Sequence, residues 1–222
     1  MVTGISVDQI SKVFPQLYHM AESGSWPSIQ KHGLLSTTAL LDLFEIQGLQ
    51  RFQIECCHRP ESVEITHKTH GSAVIRDQKP MSDQSVRKAL LNGLSPADWY
   101  RELNSKVFFW LTERRLEILL NARAYRSKRH DVLIVDTRRL VERHQQRIVL
   151  SPMNSGCTIP FPHKRGLETF RRMADYPYQA RSRNRDPIVE LAVDYKVPDI
   201  RDLVLQVKQT GGGVASKVIW TL

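Results

Sequence analysis

The apolar positions change period several times within the first fifty residues. Val7, Ile10, Val13 and Phe14 share one face of a predicted helix, with Ser6 as its N-cap, Asp8 in its first turn and Pro15 ending it. Leu17 and Tyr18 then predict a short strand that delivers His19 to its end. Glu22, Ser23, Gly24 and Ser25 follow as a turn. Ser25 is the predicted N-cap of the next helix, with Pro27 close to the first helical position, where its missing N–H costs nothing. Trp26 and Ile29 give that helix an apolar face of about two turns, and Gly33 stands at the position that stops it. Leu34 and Leu35 return to the core. Thr38 is read as the cap of a further helix carrying Leu40, Leu41, Leu43, Phe44 and Ile46, which ends near Gly48.

The pattern continues as alternating helices and strands. Leu49, Phe52 and Ile54 extend a helix, Val63 to His67 alternates like a strand, and Ala73 to Ile75 forms a brief strand that leaves through the charged turn Arg76 to Pro80. Residues 82–104 read as two helical pieces broken at Asn92-Gly93. Val107 to Leu111 is a continuous apolar and aromatic run of strand length, and Thr112 is the predicted cap of the helix after it. Asp131 to Asp136 is the clearest strand, followed by a helix from Thr137 and a strand at Ile148 to Leu150. The proline- and arginine-rich segment from Ser151 to Arg185 is expected to be mostly irregular, with one short helix near Leu167 to Met173. Strands at Ile188 to Val193 and Leu203 to Val207 close the fold. Residues 1–210 therefore read as a single domain and 211–222, opening on three glycines, as a flexible tail.

Charge narrows the classes of function. The chain has 222 residues with 32 Lys+Arg against 23 Asp+Glu, so its formal charge of +9 favours a polyanionic or phosphorylated partner. Cys56, Cys57 and Cys157 have no metal-ligand spacing, and the vicinal pair does not bridge without strain, which fits a reducing cytoplasm. No run has the length of a membrane span, and residues 1–16 lack the layout of a signal peptide, so neither membrane nor export is expected. No G-x-G-x-x-G, G-x-x-x-x-G-K or H-E-x-x-H motif is present.

Four groups of residues carry candidate chemistry. His19 is either a pocket residue or a half-buried histidine beside a turn. Arg76 or Lys79 either neutralises a phosphate or belongs to a solvated loop. Glu190 alternates with branched apolar residues, so it is either an acid buried with a partner or a side chain on the exposed face of an edge strand. Arg165, Arg171, Arg172, Arg181, Arg183 and Arg185, beside Tyr176 and Tyr178, form either a groove for a single nucleic-acid strand or a solvated loop.

Two blocks carry a resemblance to a known family. LYHMAESGSWPSIQKHGLLSTT, from Leu17 to Thr38, is similar to the opening of the ADP-ribosyltransferase superfamily, most closely the DarT-type enzymes that modify nucleic acid. VELAVDYKVPDIRDLVLQV, from Val189 to Val207, resembles the DarT-type ending, a strand with the catalytic Glu followed by Val-Pro and a last apolar strand. The resemblance implies an α+β fold with two small splayed sheets and flanking helices around an NAD cleft. It implies NAD as co-substrate, with no metal. By the same resemblance Glu190 is catalytic and His19 and Ser36 fix the riboses. Gly33 lets backbone approach the ligand, and Phe109 or Trp110 serves as a platform for nicotinamide. The family carries an active-site Arg shortly before a Pro-Met pair. Here Gln78 stands two residues before Pro80-Met81, and the role is carried to Arg76.

The activity implied is transfer of ADP-ribose to a nucleic-acid base, DNA or RNA, with Arg181, Arg183 and Arg185 on the acceptor, in a bacterial cytoplasmic toxin with an antitoxin-like partner. The alternatives are an NAD glycohydrolase, a protein-directed transferase, and a basic nucleic-acid-binding domain that has lost catalysis.

Overall fold

The computed structural model describes residues 4–178 and 188–222. The chain opens with α1 (Val7–Val13), β1 (Gln16–Glu22), α2 (Trp26–His32), β2 (Leu34–Leu35), α3 (Thr37–Leu43) and α4 (Gly48–Cys56). The hairpin β3 (Val63–His67) and β4 (Gly71–Ile75) follows, then α5 (Asp83–Ala89), α6 (Pro96–Asn104), β5 (Lys106–Trp110) and α7 (Glu113–Leu120). The second half holds β6 (Arg129–Asp136), α8 (Thr137–His144), β7 (Ile148–Ser151), β8 (Arg171–Arg172), β9 (Glu190–Asp194), β10 (Lys196–Val197), β11 (Val204–Gly211) and β12 (Val214–Thr221). The fold is α+β, with one large antiparallel sheet in the order β12-β11-β6-β1-β5-β9-β7-β8 and two small sheets, β10-β2 and β3-β4.

The large sheet is two four-stranded halves joined at a single register pair. β1 pairs with β6 along its whole length, from Gln16 opposite Asp136 to Glu22 opposite His130, and β5 pairs with β9 throughout. Between β1 and β5 only Tyr18 and Trp110 face each other. Side chains alternate across the sheet, so Leu17, Phe109, Leu133, Val135, Leu191 and Val193 enter the main core. On the opposite face Met20, Val132, Leu116 and Tyr125 are buried, with Tyr18 and Trp110 packed against them.

Several local readings change. His19 is not at a strand end, because β1 continues to Glu22. Ser25 stands at the N-cap position of α2, but its hydroxyl turns back to donate to the Glu22 carbonyl at 2.7 Å. The N–H groups of Gly24 and Trp26 donate instead to Asp131 Oδ2, at 2.9 and 3.2 Å. A distant strand caps this helix, which no local pattern announces. Ser36, and not Thr38, caps α3 by accepting from the Ala39 N–H at 3.1 Å. The segment near Leu167 to Met173 forms short 3-10 turns, Leu167–Thr169 and Met173–Asp175, around β8.

Residues 211–222 are not a flexible tail. Gly211 pairs with Val214, and Gly212 and Gly213 between them have φ of 67° and 71°, the pair of positive values that a two-residue hairpin turn requires. β12 then runs back along β11, and Trp220 lies 5.0 Å from the ring of Trp26. We expect Trp220→Ala to lower stability by about 1–3 kcal/mol in urea unfolding, since a half-buried indole is lost from the core edge. A truly loose tail would tolerate it without change.

Candidate active site

The gap between β1 and β5 is held open by side chains. Continuing the register from Tyr18–Trp110 would place Met20 opposite Phe108, and their carbonyls would enter the ladder. Instead the Phe108 carbonyl accepts from His19 Nδ1 at 2.8 Å, and the Met20 carbonyl accepts from Arg76 Nη1 at 3.3 Å. A carbonyl only accepts, so Nδ1 carries the proton and Nε2 of the neutral ring is an acceptor. Burial, with the nearby Arg76 charge adding to it, lowers the His19 pKa to about 4, so the ring is neutral at physiological pH.

Arg76 is fixed from several sides. Its guanidinium lies 4.8 Å over the Tyr125 ring, whose hydroxyl donates to Asp77 Oδ1 at 2.8 Å. Buried Arg59 donates from Nε to the Arg76 carbonyl at 3.2 Å and from Nη2 to Asn104 at 3.0 Å. The Arg59 pKa is pulled down to about 10, chiefly by desolvation. The loop reading of Arg76 is thereby replaced: its side chain reaches the edge of β1. Lys79 lies outward and pairs with Glu61 at 3.0 Å.

Glu190 stands one strand beyond the junction. Trp110 faces Tyr18 on one side and Glu190 on the other, and Ser151 of β7 continues the row. At the usual strand spacing, Tyr18 to Glu190 spans roughly 10 Å. β9 is an interior strand and Glu190 is 4% exposed, so the edge-strand reading is overturned. Its Oε2 accepts from the Ser155 N–H at 3.0 Å. Desolvation raises its pKa to about 7, while Ser155 and the charges of Arg165 and Arg115 oppose that rise. The carboxyl is therefore poised between acid and carboxylate at neutral pH.

The other expected residues serve the fold. Phe109 is 1% exposed in the main core and packs against His19 at 5.8 Å. Gly33 has a φ of 85°, and a Cβ there would come within 2.7 Å of the Pro198 Cα. The backbone it accommodates is thus Val197-Pro198. Ser36 is buried and spends its oxygen on the α3 cap. In the expected groove, Arg165 is buried, Arg171 pairs with Glu168 and Arg172 with Asp194, both at 2.8 Å, and Tyr176 and Tyr178 lie in the core. Arg165 and the two tyrosines therefore offer no open surface, while Arg171 and Arg172 stay partly exposed in their ion pairs. Arg181, Arg183 and Arg185 lie outside the described residues. Sequence reasoning missed Ser155, Arg115 and Tyr125, which meet the site only through long-range folding.

Fold and site together define an α+β protein with a forked antiparallel sheet, a neutral histidine and an arginine in the fork, and a buried acid beside it. A model for a family of unknown function, DUF7002, matches residues 15–204, and the chain belongs to that family. No curated protein matches the chain. Among the described residues, no helix is long and apolar enough to cross a membrane.

Because Glu190 has a folded-state pKa raised from 4.5 to about 7, its burial is tolerated fully at low pH and becomes costly as pH rises through that interval. Relative to Glu190→Gln, the wild type should therefore lose about 3 kcal/mol of stability between pH 4.5 and pH 8. Urea unfolding of both proteins across that range measures it, and parallel pH curves would contradict a buried, titrating Glu190.

Proposed function

We propose that this protein is an NAD-dependent ADP-ribosyltransferase, with nucleic acid as the acceptor. The observation that carries the reading is the buried acid, Glu190, one strand from a fork occupied by His19 and Arg76. It is joined by the resemblance of the two terminal blocks to the DarT-type enzymes. The residues fit NAD in kind: a neutral imidazole accepts from a ribose hydroxyl at Nε2, Arg76 favours phosphate, and Trp110 offers an aromatic face.

When bound, NAD supplies an activated glycosidic bond. Breaking it releases nicotinamide and leaves positive charge on the ribose carbon, which a nearby ionised carboxylate stabilises. Glu190 fills that role in its ionised form, and activity should rise as pH passes upward through about 7. The acceptor then bonds to the ribose carbon and gives up a proton. Glu190 or solvent takes that proton.

The nucleic-acid acceptor rests on the +9 charge and on the resemblance. Water or a protein side chain is the second reading, favoured by the internal engagement of Arg165, Arg171 and Arg172. An antitoxin-like partner and a cytoplasmic location belong to the DarT-like reading.

Nicotinamide release from labelled NAD, with and without single-stranded DNA or RNA, tests the proposal. Wild type should release nicotinamide, with label appearing on the nucleic acid, and Glu190→Gln should lower the rate at least a hundredfold. His19→Ala should raise the NAD dissociation constant more than it slows bound NAD. No release under any condition refutes the transferase reading, and label on water or protein alone moves the second reading into first place.

A further inference from the structure

The 152–165 loop that reaches Glu190 is gathered by one side chain. Arg165 is 1% exposed, and all three guanidinium nitrogens donate within its own loop: Nη1 to the Ser155 carbonyl at 2.7 Å, Nη2 to Cys157 at 2.8 Å and Nε to His163 at 3.0 Å. Its backbone is anchored as well, with its N–H on the Ala89 carbonyl and its carbonyl accepting from Leu91, both at 2.9 Å. Trp99 lies beneath the guanidinium at 5.9 Å. A buried cation whose hydrogen bonds all go to neutral carbonyls is costly, so such a device is expected where position matters.

Ser155 joins this clamp to the acid. Its carbonyl is held by Arg165, while its N–H donates to Glu190 Oε2. The charged groups acting on Glu190 are Arg165 from the loop and Arg115 from α7; Trp110 of β5 and Ser151 of β7 flank it in the sheet.

We propose that Arg165 is a positioning residue for Glu190: by gathering three loop carbonyls it fixes the Ser155 N–H on the carboxylate and holds that group in its working orientation. The clamp is a geometric statement about Glu190. Its catalytic consequence rests on the transferase reading.

The discriminating variant is Arg165→Lys, which keeps the charge but not the planar fork that spans three carbonyls. The Glu190 side-chain carboxyl carbon, assigned by its absence in Glu190→Gln, is titrated by NMR in wild type and variant. The wild-type midpoint near 7 should move up by about one pH unit in Arg165→Lys, a roughly tenfold fall in the carboxylate-to-acid ratio at fixed pH. The acid limb of the nicotinamide-release profile should move with it. A lower melting temperature with an unmoved Glu190 midpoint overturns the proposal and leaves Arg165 a loop brace. Should Arg165→Lys not fold, the wild type decides: the Ser155 amide and Arg165 guanidinium resonances must shift with the Glu190 midpoint and stay still in Glu190→Gln. Resonances indifferent to Glu190 overturn the clamp. A wild type that releases no nicotinamide defeats the transferase reading, and the NMR titration still decides the positioning.

Discussion

An antiparallel ladder tends to close once it has started, because each unpaired carbonyl and N–H away from water needs a partner. Tyr18 and Trp110 start such a ladder between β1 and β5, and its next step would pair Met20 with Phe108. That step is replaced by two side-chain donors, His19 on the Phe108 carbonyl and Arg76 on the Met20 carbonyl. The sheet is forked because the carbonyls are satisfied without closing. Removing either donor leaves a carbonyl to be met by water or by closure. The strands flanking the seam are paired along their length on their outer sides, β1 with β6 and β5 with β9, so the opening lies between β1 and β5.

The fork in turn fixes charge. Burial makes a charged imidazole costly at His19, the Arg76 charge beside it adds to that cost, and the low pKa of His19 expresses both. Glu190 has the opposite problem: an acid with little solvent, relieved first by Ser155, through its side chain and its backbone N–H, and then by two arginines at longer range. A histidine held neutral and an acid held near its midpoint, a strand apart, are environments that pull titrating groups away from their ordinary values. Such pairs gather at functional sites more than in packing cores.

Most helices and strands were legible because their signals are local. Ser6 caps its helix in a capping box, Pro27 opens α2, and the apolar run of β6 is buried as its sequence suggests, while β5 alternates between buried and half-buried side chains. The failures share a cause in contacts remote along the chain. Asp131 caps a helix more than a hundred residues earlier, which makes Ser25 look like a cap it is not. Three glycines near the end of the sequence read as looseness, yet their positive φ values build the turn that returns β12 to the sheet. Glu190 was recognisable as an unusual acid, but its burial depends on β9 lying between β5 and β7, an order that sequence does not display.

The arginines teach the same point about charge. A run of guanidinium groups in a proline-rich segment reads as a basic surface, but Arg165 points inward onto three carbonyls, and Arg171 and Arg172 are each bonded to a carboxylate. Such pairs cancel locally and leave the net charge intact, so the surplus of +9 must be carried by other cations. Arg165 shows why composition misleads here. A guanidinium can act as a backbone organiser through its donor geometry, and that use depends on where carbonyls lie after folding. The same side chain that counted toward an acceptor groove holds the Ser155 carbonyl, and the N–H of Ser155 meets the buried acid.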